Sequence, residues 1–153
     1  MDITLTPCGD DEWDTLTAFT RAFCAEDGHP HGPGNEAALG ELMANPLYGR
    51  ALMIRRDGAP AGYAVLCYGY SLEFQGRDGF VDEFYVVPGH RGLGVASRAL
   101  ELMQEMARAD GIKALHLEVM DGNEGAARLY RRHGWEMRES RMMTKLLTRA
   151  GDR

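Results

Sequence analysis

The sequence predicts an α+β fold of three layers, α/β/α, around a mixed, mostly antiparallel central sheet. Two observations carry this. Three strand-like runs follow one another through the middle of the chain with turns between them, the order of antiparallel hairpins. The last is followed by an amphipathic helical pattern and a further alternating run. That strand–helix–strand unit, Phe80 to Met120, implies a parallel pair with a right-handed crossover, and helices are expected on both faces.

In order, Ile3 and Leu5 alternate with Thr and predict a short first strand. Asp10 or Asp11 caps a helix to about Glu26, with Leu16, Phe19, Thr20 and Phe23 at helical spacing. The run Asp27 to Gly34, dense in Gly and Pro, predicts a loop. A second helix is expected over Asn35 to Ala44. Strands follow at Arg50 to Arg56 and at Ala61 to Tyr70, with a turn at 57–60. Gly76-Arg77-Asp78-Gly79 predicts another turn, and Phe80 to Val87 a fourth strand with strong β formers. Ser97 to Arg108 predicts an amphipathic helix, with Ala96, Ala99, Leu100, Met103, Met106 and Ala107 on one face. Ala114 to Met120 reads as a strand. Asn123 to His133 reads as a helix closed by Gly134. Met142 to Leu147 reads as a last strand.

With 153 residues, 44% hydrophobic and 26% charged, the chain reads as one globular domain over 1–148 with a short tail at 149–153. Its formal net charge of -6 offers no general attraction to nucleic acid or to anionic membranes. No apolar run approaches the roughly 20 residues of a membrane span, and the first ten residues do not form a signal peptide. Cys8, Cys24 and Cys67 fit neither a zinc site nor a disulfide framework and read as reduced thiols of a cytoplasmic protein. His29 and His31 lack a third ligand at clear spacing, so no metal is expected. They read instead as part of a loop over a cleft. His116, mid-strand, reads as structural.

The segment from Val87 to Ala96 joins a strand directly to a helix. Its glycines let backbone approach a ligand. The helix start offers unpaired N–H groups and a positive dipole end, which together suit a pyrophosphate. Arg91 can add a charge-assisted contact. A dinucleotide-binding turn is the competing reading, but position 97 is Ser where that motif needs Gly or Ala.

Arg91-Gly92-Leu93-Gly94-Val95-Ala96 resembles the Arg/Gln-x-x-Gly-x-Gly/Ala motif of the GNAT N-acetyltransferase superfamily. Asp82-Glu83-Phe84-Tyr85-Val86-Val87-Pro88 is similar to that family's fourth strand. The run Asn123 to Trp135 resembles its Asn-x-x-Ala-x-x-x-Tyr-x-x-x-Gly-Phe segment, with Trp135 in place of Phe. These motifs cover about a third of the chain.

The resemblance implies an acyl-CoA N-acyltransferase fold whose fourth and fifth strands splay. Acetyl-CoA would lie in the gap, its pantetheine on the backbone of Phe84, Tyr85 and Val86. An amide near Val86 would stabilise the oxyanion. The pyrophosphate would rest on Arg91 and the amides of Gly92, Leu93, Gly94, Val95, Ala96 and Ser97. Asn123 would bond the pantetheine arm, with Ala126 of the same motif beside the cofactor. Tyr130, seven residues after Asn123 and so on the same helix face, would protonate the departing thiolate. A carboxylate must take the amine's proton. Asp82 and Glu83 are the candidates, and similarity to the thialysine and polyamine enzymes' Glu-Asp-Leu/Phe-Tyr/Phe-Val pattern puts Asp82 at the base position. Strict alternation would place the two on opposite faces unless a bulge intervenes. Glu26, Asp27 and Glu73 are candidates to hold a cationic acceptor.

The leading expectation is therefore transfer of an acetyl group from acetyl-CoA to a primary amine, small molecules ahead of proteins. The alternatives are a peptide or protein acetyltransferase, a CoA-binding regulatory module without turnover, and a nucleotide-dependent reductase. Homodimers are common in the family.

Overall fold

The computed structural model describes residues 1–148; the tail expected over 149–153 lies outside the described residues. The chain forms two compact units, Met1–Val119 and the segment from Met120 onward.

The first unit holds the whole sheet. Its strands are β1 (Ile3–Pro7), β2 (Gly49–Arg56), β3 (Ala59–Ser71), β4 (Gly76–Val86) and β5 (Ala114–His116), and its helices are α1 (Trp13–Asp27), α2 (Pro33–Ala44) and α3 (Val95–Ala109). The strands lie in the order β1-β2-β3-β4-β5. The first three pairings are antiparallel, and β4–β5 is parallel, joined through α3. The mixed sheet and its crossover are those the sequence predicts.

Helices cover both faces. On one, Leu16 of α1 and Leu39 of α2 pack on Ala51 and Met53 of β2, Tyr63 and Val65 of β3, and Tyr85 of β4. On the other, Val95 and Ala99 of α3 pack on Ile3, Ile54, Ala61 and Val86. Burial on both sides is why β2 reads as a continuous apolar run: Leu52, Met53 and Ile54 are all 0% exposed. Burying each such side chain contributes roughly 1.5–3 kcal/mol.

Several boundaries differ from the sequence reading, each for a physical reason. A 3-10 turn occupies Asp10–Glu12 before α1 begins. The second helix starts at Pro33 rather than Asn35, because Pro suits a helix's first turn and the Asn35 side chain accepts from the Gly32 amide (2.9 Å). Gly76 to Gly79 is strand, not turn: the β3–β4 ladder runs to Ser71↔Gly76, and the chain reverses at 72–75. These glycines serve close approach instead. A Cβ on Gly79 would come within 2.9 Å of Leu115.

The fifth strand keeps only Ala114–His116 of the seven residues expected, and pairs with Asp78 to Phe80. The pairing stops next to an irregularity in β4. There Val81 faces Leu66 and Glu83 faces Val65, leaving Asp82 as an extra residue. A bulge of this kind bends its strand and ends neighbouring pairing.

The second unit contains α4 (Glu124–Arg132). Asn123 caps it, its Oδ1 accepting from the Ala126 amide at 3.2 Å. Gly134, at φ 84°, turns the chain out of it. Residues 135–148 contain no helix or strand, so the strand expected at Met142 to Leu147 is absent. Its β-forming side chains remain exposed, Met143 at 96% and Leu147 at 91%. β propensity expresses itself only against a partner strand, and none pairs there among the described residues.

Candidate functional site

Beyond Phe80, β4 has β3 on one side and no ladder partner on the other among the described residues. Backbone N–H groups alternate sides along a strand. The Val87 amide donates to the Ala61 carbonyl of β3 (2.9 Å). The Val86 amide one residue earlier therefore points to the open side, and so does that of Phe84. The side chains of Tyr85 and Val86 are 7% and 8% exposed and belong to the two cores. On its open side, Tyr85 and Val86 offer a ligand their backbone rather than their side chains.

After β4 the chain makes a 3-10 turn at Pro88–His90 and enters α3 through Gly92 (φ 74°) and Gly94 (φ 82°). Both angles lie in the left-handed region, where a Cβ is strained. Added side chains would meet open space at Gly92 and only a Met1 methyl at 4.0 Å from Gly94, so conformation, not crowding, requires the glycines. The first helical bond runs from the Arg98 amide to the Gly94 carbonyl (3.1 Å). A helix start of this kind leaves the amides of its first residues, Val95 and Ala96, without an acceptor inside the helix. Val95, 1% exposed, anchors the helix start in the core, while Leu93 is 44% exposed. Such a turn fits a pyrophosphate.

Arg91 is tied down. Its Nε donates to the Val86 carbonyl (2.8 Å), one Nη donates to Glu26 Oε2 (2.8 Å), and its guanidinium lies 5.5 Å over the Tyr85 ring. The hydrogen bond from Arg91 holds the Glu26 carboxyl below its usual range. Glu26 therefore sits at the turn, not beside the candidate base. The Arg91–Glu26 pair is solvent-exposed, 43% and 48% by side chain, and adds at most about 1 kcal/mol.

On the α1 face of the sheet, Glu83 accepts a hydrogen bond from the Tyr63 hydroxyl at 3.0 Å. Burial pushes its carboxyl above the usual range, against the pull of that hydrogen bond and of His29's charge; Asp82 and Asp27 push it further up. Burial, then the Glu83 charge, raise the Tyr63 phenol far above its ordinary value, so it stays a donor. The Asp82 side chain, although exposed, is also raised by its packed surroundings and by Glu118. The bulge breaks the alternation that would separate the two acids: the charges of both bear on Tyr63 and Cys67.

Asp27 ends α1 within reach of the Glu83 charge, and its Oδ2 lies 3.7 Å from His29 Nε2. Glu73 is elsewhere. It lies in the β3–β4 hairpin turn, with about 23 Å of strand between Gly76 and Glu83. His116 pairs with Asp78 (3.1 Å) and packs on Phe74 at 5.1 Å. His31 contacts Thr20 Oγ1 at 3.2 Å.

In the second unit, Tyr130 stands on α4 two turns from Asn123, half-buried, its ring 5.9 Å from that of Trp135. Ala126, also half-buried, shares the helix, and its amide is held by the Asn123 cap.

Sequence reasoning missed Tyr63 and Cys24 as neighbours of the candidate base. A tyrosine inside a strand carries no signal of what its hydroxyl meets; only the β3–β4 register supplies that.

The model of the acetyltransferase (GNAT) family matches residues 13–135. The thialysine N-epsilon-acetyltransferase of Bos taurus is 30% identical over 113 residues, 71% of this chain and 59% of that protein, so the chain spans about six-tenths of this relative's length. A solved integron cassette protein from the mobile metagenome of Cole Harbour Salt Marsh superposes with a TM-score of 0.82 at 27% identity, covering 95% of this chain and 91% of that one. AAC(6')-Iy, solved with the bisubstrate analogue CoA-S-monomethyl-acetylneamine, superposes with a TM-score of 0.80 over 97% of this chain and 100% of its own. At 14% identity that likeness is one of fold alone. The glycine turn into α3, the half-paired β4 and the family match agree, and the chain belongs to the acetyltransferase (GNAT) family.

Proposed function

We propose that the protein transfers the acetyl group of acetyl-CoA to a primary amine by direct attack in a ternary complex, with Glu83 as the proton acceptor. The observation that carries this is the Glu83–Tyr63 pair, three residues along β4 from the outward-facing Val86 amide. A carboxylate raised by burial is a stronger base than a solvated one. Tyr63 holds it in place.

Acetyl-CoA supplies the activated carbonyl. On this reading the Gly92–Ser97 turn receives its pyrophosphate, and the open side of Phe84 to Val86 receives the pantetheine amides. The acceptor enters as an ammonium ion and Glu83, directly or through water, takes a proton from it. The free amine forms the C–N bond, and the Val86 N–H steadies the oxygen that becomes negative. As the C–S bond breaks, the phenol of Tyr130 gives its proton to sulfur, and the second proton that the nitrogen loses as the amide forms restores the phenol, directly or through water. Asn123 anchors the pantetheine arm from the same helix.

Direct attack is favoured over an acyl-cysteine intermediate because the thiols are weak nucleophiles. Burial pushes Cys8 and Cys67 up to about 11, and Cys24 is also raised, by burial and then by Glu83 and Asp27. Asp27, Asp82 and Glu83 around the acceptor side suit a cationic small amine, and the cattle relative's name specifies thialysine. Amino-acid side-chain amines are therefore the leading class.

The test is release of CoA thiol from acetyl-CoA against a panel of amines, peptides and aminoglycosides. Turnover with small amines supports the reading. Acetyl-CoA binding with no thiol release for any acceptor would leave a CoA-binding module in its place.

A further inference from the structure

We infer that His29, on the loop between α1 and α2, is a positioning residue that sets the charge balance at Glu83. The inference rests on the proposed role of Glu83 only for its catalytic meaning; the geometry stands independently.

The loop is fixed at both ends. At its start, Gly28 takes the left-handed conformation (φ 71°) and the His29 amide donates to the Cys24 carbonyl (2.9 Å), closing the helix end. At its far end, His31 contacts Thr20 Oγ1 at 3.2 Å, and Thr20 is only 4% exposed. The His29 imidazole is thereby stacked on Phe23, with centroids 6.5 Å apart and planes 22° apart. Phe23 meets Tyr63 edge-on at 6.2 Å, and Tyr63 donates to Glu83 at 3.0 Å. The ring is held on the acceptor side while its side chain stays 56% exposed.

The ionisable groups around Glu83 come from every neighbouring element. Tyr63 and Cys67 come from β3, Asp82 from β4, Cys24 and Asp27 from α1, and His29 from the loop. Among these six, His29 alone can become a cation. Imidazole ordinarily changes charge between pH 5 and 8. When His29 is protonated it favours ionised Glu83, opposing Asp82 and Asp27. Asp27 Oδ2 lies 3.7 Å from His29 Nε2.

The test is the 13C titration of the Glu83 carboxyl in the full chain without substrates, its signal assigned by its loss in Glu83→Gln. It is run on wild type, His29→Gln and His29→Lys. His29 is exposed, so both variants preserve the fold. The Glu83 midpoint is expected to rise by about half a pH unit in His29→Gln and to return to or below the wild-type value in His29→Lys. A ring acting only by packing would not be rescued by lysine. Coincident midpoints in all three proteins, or a rise in both variants, would overturn the inference. Activity of Glu83→Gln bears separately on the catalytic reading: full turnover there would remove Glu83 as base and leave the titration result standing.

Discussion

Tyr63 and Glu83 meet diagonally across the β3–β4 ladder, the phenol donating to Glu83 Oε1 at 3.0 Å while Tyr63 itself faces Tyr85. This hydrogen bond favours the ionised carboxylate and opposes the burial that raises it. Tyr63→Phe removes the donor and keeps the ring. The acid limb of the kcat/KM–pH profile is expected to move to higher pH, because a base that loses a stabilising hydrogen bond protonates earlier as pH falls. A profile superimposable on wild type would detach Tyr63 from the base.

Glu83→Gln is expected to lower kcat by about 10² to 10⁴ while leaving acetyl-CoA affinity unchanged, since it removes proton acceptance and little else. The same variant should be more stable at neutral pH. The raised folded-state carboxyl binds its proton more tightly than the unfolded chain does, so stability falls as pH rises from the unfolded value through the folded one. Glutamine escapes that loss. Its melting temperature should exceed wild type by roughly 2 °C at pH 7–8, and the gain should vanish near pH 4. Scanning calorimetry at both pH values reads this directly.

Gly94→Glu is expected to weaken acetyl-CoA binding by at least about tenfold, an order of 1.4 kcal/mol, because a carboxylate would meet the pyrophosphate. Gly94→Ala separates charge from backbone strain: at φ 82° alanine costs on the order of 1–2 kcal/mol of stability. Equal affinity of the Glu and Ala variants in calorimetric titration would remove the turn as the phosphate site.

Tyr130→Phe is expected to lower kcat with little change in acetyl-CoA binding, since phenylalanine keeps the ring beside Trp135 and loses only the acidic proton. Unchanged turnover would exclude Tyr130 as the acid.

The features that sequence shows well are those that local chemistry determines. The Gly92 and Gly94 turn was legible because left-handed φ admits little besides glycine, and the α3 face because its apolar period is long. The helix start at Asn123 was legible in position, but not the capping role in which Asn123 Oδ1 accepts from the Ala126 amide. What was hidden depends on pairing. Asp82 becomes a bulge only because Val81 and Glu83 take consecutive partners on β3, and no residue type announces that. Gly76 to Gly79 carries turn chemistry yet lies in a strand, because Ser71 pairs with Gly76. Met142 to Leu147 has strand composition without a strand, because composition cannot supply a neighbour. Glu26 was grouped with Asp27 from adjacency alone; helix geometry sends one to Arg91 and the other toward Glu83.

Among the described residues, the half of β4 beyond Phe80 is interior on the β3 side and an edge strand on the other. Edges of this kind invite a foreign strand, and with it aggregation. Here the bulge at Asp82 bends the template, and two adjacent carboxylates make it a poor one for an incoming chain. The irregularity that inserts Asp82 beside Glu83 thus also guards a stretch of backbone that has no ladder partner on that side among the described residues. On the proposed reading, where the cosubstrate takes the place of a neighbouring strand, that place must stay vacant without the protein's own copies filling it.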